Sequence, residues 1–396
     1  MVRYLDLGVT PLANSYLRED RLDLPEFEAE LTLQLCPTCG LSQLTRVVDP
    51  DLMFRDYLYV SSTTRTFREH CSELAATAMR IAGASEGDLA LDIASNDGLL
   101  LSGFAAMGMR VIGVDPARGL AAEATANGIP TIAEYWSGSL ARDVAALHGR
   151  PGIVTATNVL GHVDEVHGFV EAVREVMSKD GIFVVEVPWI VDLVELYEFD
   201  TVYHEHLSYF AVHPLERLVR EHGLEIFDVQ HFPEIHGGTI RVFAAARGRH
   251  PISSNVEAIL ARERGVGVKD PGPYVAFGAR ARANMAELRG TIGGLIREGR
   301  RVWAYGASAK GNTLMAFSRL TAGEIPIVVD DNPKKWGLYT PGAHMRITPP
   351  AALAGADVDR LLLLAWNFEA EIVARSRSAG YRGAYIRPVP SVELFA

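Results

Sequence analysis

The sequence predicts an α/β protein with two Rossmann-like units, a doubly wound central one and a shorter C-terminal one, and a small β-rich module at the N-terminus. Apolar runs such as DLALDIAS, RVIGVDPA, GIVTATNVL and IFVVEVP alternate with helical segments. That alternation is typical of a parallel sheet covered by helices on both faces. A shorter series returns near the end in RVWAYGAS, IPIVVDDNP and RLLLLAWN, which predicts the second unit.

The length of the chain also indicates several domains, because 396 residues exceed what one hydrophobic core usually supports. Residues 1–65 are rich in turns and form the β-rich module. A helix beginning near residue 66 opens the central domain, which we expect to end near residue 210. Residues 211–290 are predicted to be connecting strands and helices, and residues 291–396 form the C-terminal unit.

Composition limits the function classes. Apolar residues make up 48% of the chain and charged residues 22%, which is ordinary for a globular protein. The formal net charge of −11 disfavours a nucleic-acid partner. The N-terminus lacks a secretion signal and no window is long and apolar enough for a membrane span, so we expect a cytoplasmic protein without a membrane partner. The sequence leaves monomer and homodimer open.

The loop after DLALDIAS is the first candidate ligand site. It follows an apolar strand and opens a helix, and about twenty residues later the next strand ends in an aspartate, a spacing suited to an adenosine. The glycines of a dinucleotide fingerprint are missing and acidic residues stand nearby, which favours a cationic ligand such as S-adenosylmethionine. The alternative is an acidic turn that only caps the helix. The candidate cofactor residues are Asp92, Ala94, Asn96, Asp97, Gly98, Asp115 and Asn158.

The run Tyr203–His206 is the second candidate site, because it places a phenol, a carboxylate and two imidazoles in four consecutive residues. Imidazole titrates near neutrality, and an adjacent carboxylate can raise its basicity, so the run suits proton abstraction. A solvated polar turn or core histidines are alternatives. A zinc site is a further reading, but the His-x-His spacing lacks helical metal-ligand geometry. His162 follows another strand at the edge where ligands gather.

Several sequence motifs, found in a fixed order along the chain, together resemble those of a known protein family. They are DIASNDG, TNVLGHV, EVPWIVDLVELYEFDTVYHEHLSYF, HGGTIRVF, VWAYGASAKGNT, VVDDNPKKWGLYTPG and LLLAWNFEAEI. With these motifs the chain resembles the sugar C-methyltransferases of deoxysugar biosynthesis. The resemblance implies a zinc-binding N-terminal module, a central S-adenosylmethionine domain and a Rossmann-like C-terminal domain. It also implies a nucleotide-linked 4-keto-deoxyhexose as substrate, which we expect to be dTDP-linked and methylated at C-3 rather than C-5.

The resemblance further implies residue roles. His206 is the expected base, Glu205 tunes or orients the site, Tyr203 binds sugar oxygens, and His162 is a second acid/base or binds the ketone. Lys310 opens a helix after a strand, where it is expected to hold the diphosphate, although the glycines of that loop also fit plain strand–helix packing. The expected substrate-binding residues are Tyr57, Tyr59, His204, His236, Lys310 and Asn312.

The cysteines raise the question of a metal. The family holds zinc with two Cys-x-x-Cys pairs, and this sequence contains Cys36 and Cys39 with the first pair absent. Two thiolates cannot close a tetrahedral structural site, and Cys71 sits in a predicted helix without a paired partner. A segment upstream, a ligand from elsewhere and loss of the metal all remain open.

Two other functions compete with methyl transfer. A nicotinamide-dependent sugar oxidoreductase or epimerase would use the C-terminal loop, but neither unit has a full Gly-x-Gly-x-x-Gly fingerprint. A non-catalytic sugar-nucleotide binding scaffold is the third reading. The complete set of acid/base groups in Tyr203–His206 argues against it.

Overall fold

Three β-sheets form the framework of the part of the chain that the structure describes. The computed structural model describes residues 1–55, 60–63, 65–235 and 237–396. The two larger sheets are the predicted α/β units, and the third is the predicted N-terminal module, so the fold class is confirmed. In the described part of the chain no helix combines the length and the apolar character needed to span a bilayer.

The N-terminal sheet is antiparallel. Its strands are β1 (Val2–Pro11), β2 (Glu28–Leu35) and β3 (Ser42–Leu44), and they are followed by the short helix α1 (Asp51–Phe54). Alternate residues of the strands are apolar and buried, as in Leu33 and Leu35. The knuckle at Cys36–Gly40 connects β2 to β3.

The central sheet has seven strands, and its elements follow one another along the chain as the alternation of apolar runs predicts. They are α2 (Arg65–Ala82), β4 (Leu89–Ile93), α3 (Leu99–Ala106), β5 (Arg110–Val114), α4 (Arg118–Ala126), β6 (Thr131–Ile132), α5 (Gly138–His148), β7 (Ile153–Thr157), α6 (Val166–Val176), β8 (Ile182–Pro188), α7 (Ile190–Glu195), α8 (Val212–Glu221), β10 (Leu224–Phe232) and β11 (Thr239–Ala246). The short strand β9 (Ser208–Tyr209) lies between α7 and α8 along the chain but belongs to the N-terminal sheet.

The strand order in this sheet is β10-β11-β8-β7-β4-β5-β6. The five strands from β8 to β6 are parallel, whereas β11 runs antiparallel to β8 and β10 antiparallel to β11. The chain leaves β4 towards β5 on one side and returns to β7 on the other. The switch point between β4 and β7 is where open α/β sheets bind ligands.

Two strand pairings go beyond what the sequence predicted. Strands β10 and β11 lie in the stretch 211–290, which was expected to hold connecting strands and helices, and they extend the central sheet. Strand β9 pairs with β3 and so completes the N-terminal sheet with a piece of chain that follows directly on the Tyr203–His206 run. Local periodicity carries no information on which distant strand a segment pairs with, so neither pairing was predicted.

Two helices, α9 (Ser254–Val266) and α10 (Pro271–Arg297), lead into the C-terminal unit. Asp270 caps α10 by accepting a hydrogen bond from the amide of Gly272 at 2.9 Å, and Pro271 takes the first helical position. The helix packs on β1 at Gly278, where a side chain would collide with the carbonyl of Tyr4. This close approach fixes the N-terminal module against the rest of the protein.

The C-terminal unit has a six-stranded sheet in the order β14-β13-β12-β15-β16-β17, parallel except for its last strand. Its elements are β12 (Val302–Tyr305), α11 (Ala309–Ser318), β13 (Ile327–Val329), β14 (Arg346–Thr348), β15 (Arg360–Leu363), α12 (Glu369–Ser378), β16 (Ala384–Arg387) and β17 (Glu393–Phe395).

Candidate active site

The loop after β4 is folded tightly against the end of β5. The amides of Ala94 and Ser95 donate to the carbonyl of Val114 at 2.7 and 3.1 Å. The carboxylate of Asp115 accepts from the amides of Asn96 and Ala117, both at 2.8 Å. Burial raises the pKa of this carboxyl group. Asp115 therefore holds the two loops in one arrangement.

The same edge presents polar atoms that the protein leaves unsatisfied. The Ser95 hydroxyl and Oδ1 of Asn158 are buried and have no hydrogen-bond partner among the described residues. Asn158 follows β7 with φ of 55°, and its amide donates to the carbonyl of Glu186 at 2.8 Å. Asp115 can accept further hydrogen bonds besides the two from backbone amides, since an ionised carboxylate offers about four lone-pair sites. These groups fit the polar parts of an adenosine-containing cofactor.

Asp92 lies at the end of β4, is 1% exposed, and accepts a hydrogen bond from the Thr155 hydroxyl at 2.6 Å. Burial, together with the nearby carboxylates of Asp115 and Glu186, raises the pKa of Asp92 to about 7. The group therefore changes charge in the neutral range, and a neighbouring cation would favour its ionised form.

Asn96 and Asp97 contact the chain that leads into α2. Oδ1 of Asn96 accepts from the amide of Ser61 at 3.0 Å, and Oδ2 of Asp97 accepts from the amide of Ser62 at 3.1 Å. Gly98, with φ of 79°, ends the loop before α3. These two side-chain oxygens thus tie residues 61 and 62 over the loop, a contact that the sequence did not predict.

Two histidines from separate segments stack on each other, one from the turn after β7 and one from the Tyr203–His206 run. The rings of His162 and His206 are 5.1 Å apart and nearly parallel, and the Phe54 ring also stacks on His162, with 5.4 Å between ring centres. The Tyr203 ring lies 4.0 Å from that of His206. Three of the four predicted catalytic residues therefore form one cluster.

The protonation of this cluster follows from its contacts. Nδ1 of His206 is 2.8 Å from the carbonyl oxygen of Thr201, and a carbonyl only accepts, so Nδ1 carries the proton. In the neutral ring, Nε2 is then the basic nitrogen. Burial lowers the pKa of His162 to about 4, which keeps that ring neutral at physiological pH.

The remaining two residues of the run face the N-terminal module. Glu205 is 3% exposed and its Oε1 accepts from Nδ2 of Asn14 at 2.7 Å. His204 is buried and its Nε2 donates to the carbonyl of Ala29 at 3.2 Å. Burial lowers the pKa of His204. The imidazole of His204 thus lies apart from the His162–His206 stack, although it lines a small cavity together with Tyr203 and Asn312.

The predicted diphosphate residues are engaged by the protein itself. Nζ of Lys310 lies 3.0 Å from a carboxylate oxygen of Glu198 and 5.5 Å from the centre of the Trp366 ring. Nδ2 of Asn312 donates to the carbonyl of Ala13 at 2.7 Å. The Ser308 side chain caps α11 by accepting from the amide of Gly311. In this arrangement the charge of Lys310 is already balanced.

Sequence reasoning missed Asp200 and Trp366. Oδ2 of Asp200 accepts from the indole N–H of Trp366 at 2.7 Å, whereas Oδ1 has no partner within the described chain. Burial raises the pKa of Asp200 to about 6, and the charge of Lys310 opposes that shift. Asp200 stands three residues before Tyr203, and Trp366 lies in the quoted motif LLLAWNFEAEI. Their positions in or near these motifs were the only sequence feature that could have pointed to Asp200 and Trp366.

The predicted metal ligands form a knuckle. The amide of Gly40 donates to the carbonyl of Cys36 at 2.8 Å, and the amide of Cys36 donates to Leu41. No cluster of three or more candidate metal ligands occurs in residues 1–55, 60–63, 65–235 and 237–396. Cys71 is buried in α2, where burial raises the pKa of its thiol. The donors described here therefore do not fit a closed tetrahedral zinc site.

Three predicted substrate residues, Tyr57, Tyr59 and His236, lie outside the described residues. Their roles stay predictions.

Comparison with known proteins identifies the family. Three family profiles match in order along the chain: a putative zinc binding domain over residues 1–54, a methyltransferase domain over residues 65–229, and a C-methyltransferase C-terminal domain over residues 234–390. The C-methyltransferase NovU of Streptomyces niveus is 35% identical over 394 residues, which cover 99% of this chain and 94% of NovU.

Two solved structures match part of the chain. A magnesium protoporphyrin IX methyltransferase of Synechocystis covers 45% of this chain and 82% of its own, at 15% identity and a TM-score of 0.36. A methyltransferase of Clostridium acetobutylicum covers 46% and 92%, at 13% identity and a TM-score of 0.37. The identification rests on the full-length relative and the three profiles. The protein belongs to the S-adenosylmethionine-dependent C-methyltransferase family.

Proposed function

We propose that the protein transfers a methyl group from S-adenosylmethionine to a carbon next to the ketone of a nucleotide-linked 4-keto-deoxyhexose, most simply a dTDP-linked one. The observation that supports this reaction best is the His162–His206 stack, with the proton of His206 fixed on Nδ1. A hydrogen on a carbon adjacent to a ketone is weakly acidic, so the reaction needs a positioned base of near-neutral pKa.

In this proposal, Nε2 of His206 removes that hydrogen and an enolate forms on the sugar. The Thr201 carbonyl keeps the ring in the basic tautomer and also stabilises the imidazolium that results, since Nδ1–H then donates to it more strongly. His162, which burial keeps neutral, hydrogen-bonds the developing oxyanion without placing a second positive charge beside His206. Tyr203 binds a sugar oxygen next to the base.

The cofactor is assigned to the edge between β4, β5 and β7. Asp115 and the unsatisfied polar atoms of Ser95 and Asn158 would hold the adenosine, and Asp92 favours a positively charged ligand. When bound there, S-adenosylmethionine would supply an electrophilic methyl group to the enolate carbon and would leave as S-adenosylhomocysteine. Asn96 and Asp97 act on the site indirectly, because their side chains hold residues 61 and 62 over the loop.

The position of the methyl group is C-3 in this proposal, with C-5 as the other carbon that flanks a 4-keto group. Incubation with S-adenosylmethionine and a panel of nucleotide-linked 4-keto-deoxysugars tests both the reaction and the position. A mass increase of one methyl group supports the reaction, and NMR then locates it on C-3 or C-5. Absence of methylation across dTDP- and UDP-linked 4-keto sugars would refute the assigned substrate class.

A further inference from the structure

The turn that follows β1 reaches the candidate active site from the N-terminal module. The amides of Ser15 and Tyr16 donate to the carbonyls of Leu12 and Asn14 at 3.1 and 3.0 Å, which shapes the turn. At its apex Nδ2 of Asn14 donates to Oε1 of Glu205 at 2.7 Å, across 191 positions of the chain. The N-terminal module thus supplies a hydrogen-bond donor to a nearly buried carboxylate of the catalytic run.

The C-terminal unit fixes this turn from the other side. Asn312 donates to the carbonyl of Ala13 at 2.7 Å, and the Tyr16 hydroxyl donates to the carbonyl of Ala307 at 2.6 Å. Leu17 and Tyr339 exchange two backbone hydrogen bonds of 2.9 and 2.8 Å. Four hydrogen bonds on neighbouring residues therefore fix the position of Asn14, and in all four the partner residue lies in the C-terminal unit.

The chemistry at Glu205 makes this contact consequential. Removing a carboxylate from water is costly unless hydrogen-bond donors replace its hydration. A bond from a neutral amide to a charged oxygen is stronger than one between neutral groups, and it also fixes orientation. Asparagine does not titrate, so the donor persists at every working pH.

We propose that Asn14 is a positioning residue for the methyl transfer: it holds the Glu205 carboxylate in its working orientation, and the C-terminal unit sets the place of Asn14 through Ala13 and Tyr16. This inference rests on the proposed role of Glu205, which the family resemblance implies, namely that its carboxylate tunes or orients the site. In this proposal the N-terminal module contributes to catalysis through Asn14, although Asn14 does not touch the reacting atoms. The geometry of the catalytic run then also depends on how the C-terminal unit is seated.

A double-mutant cycle tests the proposal with the full-length protein. The variants are Asn14→Ala, Glu205→Gln and the two together, with Ser15→Ala as the control on the same turn, and kcat, KM and cofactor Kd are measured for each. We expect Asn14→Ala to lower kcat by about 10- to 100-fold, the effect of losing one bond to a charged group, with little change in cofactor Kd. The double variant should be no slower than Glu205→Gln alone, because Asn14 acts through Glu205.

The isosteric Asn14→Asp variant gives a second test that keeps the size of the side chain. It places a carboxylate against Glu205, so we expect a larger loss of kcat than in Asn14→Ala, and this loss should shrink when Glu205→Gln is added. If the alanine variant does not fold, the cycle is run with Asn14→Asp. Additive losses in the cycle, or wild-type kcat in both Asn14 variants while Glu205→Gln is impaired, would overturn the inference alone. Wild-type kcat in Glu205→Gln would overturn the proposed role of Glu205 and the inference with it.

Discussion

The Nδ1–H of His206 donates to the carbonyl of Thr201 at 2.8 Å, only five residues away in the chain. The segment therefore orients the imidazole that we propose as the base. The stacked ring of His162, 5.1 Å distant, comes from the loop after β7. The stack therefore brings His206 next to the edge of the sheet to which we assign the cofactor. The pair thus connects the two steps of the proposed reaction, which are proton removal and methyl transfer.

The first prediction concerns Asp115. Asp115→Ala should weaken S-adenosylmethionine binding by about 10- to 100-fold. The change removes the carboxylate that we propose holds the ribose of the adenosine, and it also removes two hydrogen bonds from backbone amides that shape the loops. Calorimetric titration measures the change. Glu123→Ala, on the exposed face of α4, is the matched control and should bind as the wild type does. Equal affinity in the Asp115 variant would place the ribose elsewhere.

The second prediction is that cofactor binding releases a proton near pH 7. The pKa of Asp92 is raised to about 7 in the free protein, and a bound sulfonium nearby would lower it. Titrations in two buffers of different ionisation enthalpy report the proton count. The release should disappear in Asp92→Asn. Persistence of the full release in that variant would assign it to another group.

The third prediction concerns the effect of Asp92 on how the free energy of unfolding depends on pH. Because burial raises the folded pKa of Asp92 from its ordinary value of 3.8 to about 7, the folded state holds the proton more tightly than the unfolded state does. The stability that this group contributes therefore falls as pH rises between those two values. The unfolding free energy of Asp92→Asn, relative to wild type, should therefore increase from pH 4 to pH 7. Chemical denaturation across that range, without cofactor, provides the measurement, and a difference independent of pH would contradict the assigned environment.

Local sequence patterns were enough to predict several parts of the candidate site. The loop after β4, the acid at the end of β5 and the run Tyr203–His206 all follow from strand ends and residue chemistry. They could not predict that β9 pairs with β3, that Asn14 contacts Glu205, or that Lys310 pairs with Glu198 across 112 positions. Those pairings depend on how three sheets pack, and periodicity along the chain does not record such packing.

The fourth prediction concerns zinc. The purified 396-residue chain should contain well below one zinc per molecule, because Cys36 and Cys39 supply two of the four ligands that a structural site needs. Elemental analysis after gel filtration in metal-free buffer gives the ratio, and Cys36→Ser is the comparison. A ratio near one in the wild type that falls in Cys36→Ser would show a closed site with further ligands.

The most direct test of the proposed chemistry is hydrogen exchange at the carbon beside the ketone. The 4-keto-deoxysugar nucleotide is incubated in deuterated water with the protein and S-adenosylhomocysteine, so that proton removal occurs without methyl transfer, and NMR follows the deuterium. His206→Gln should lower both this exchange and turnover by roughly 100- to 10,000-fold while cofactor affinity stays near wild type, because the base is lost and the cofactor site is not. Exchange at the wild-type rate in His206→Gln would show that another group, His162 or Tyr203, removes the proton.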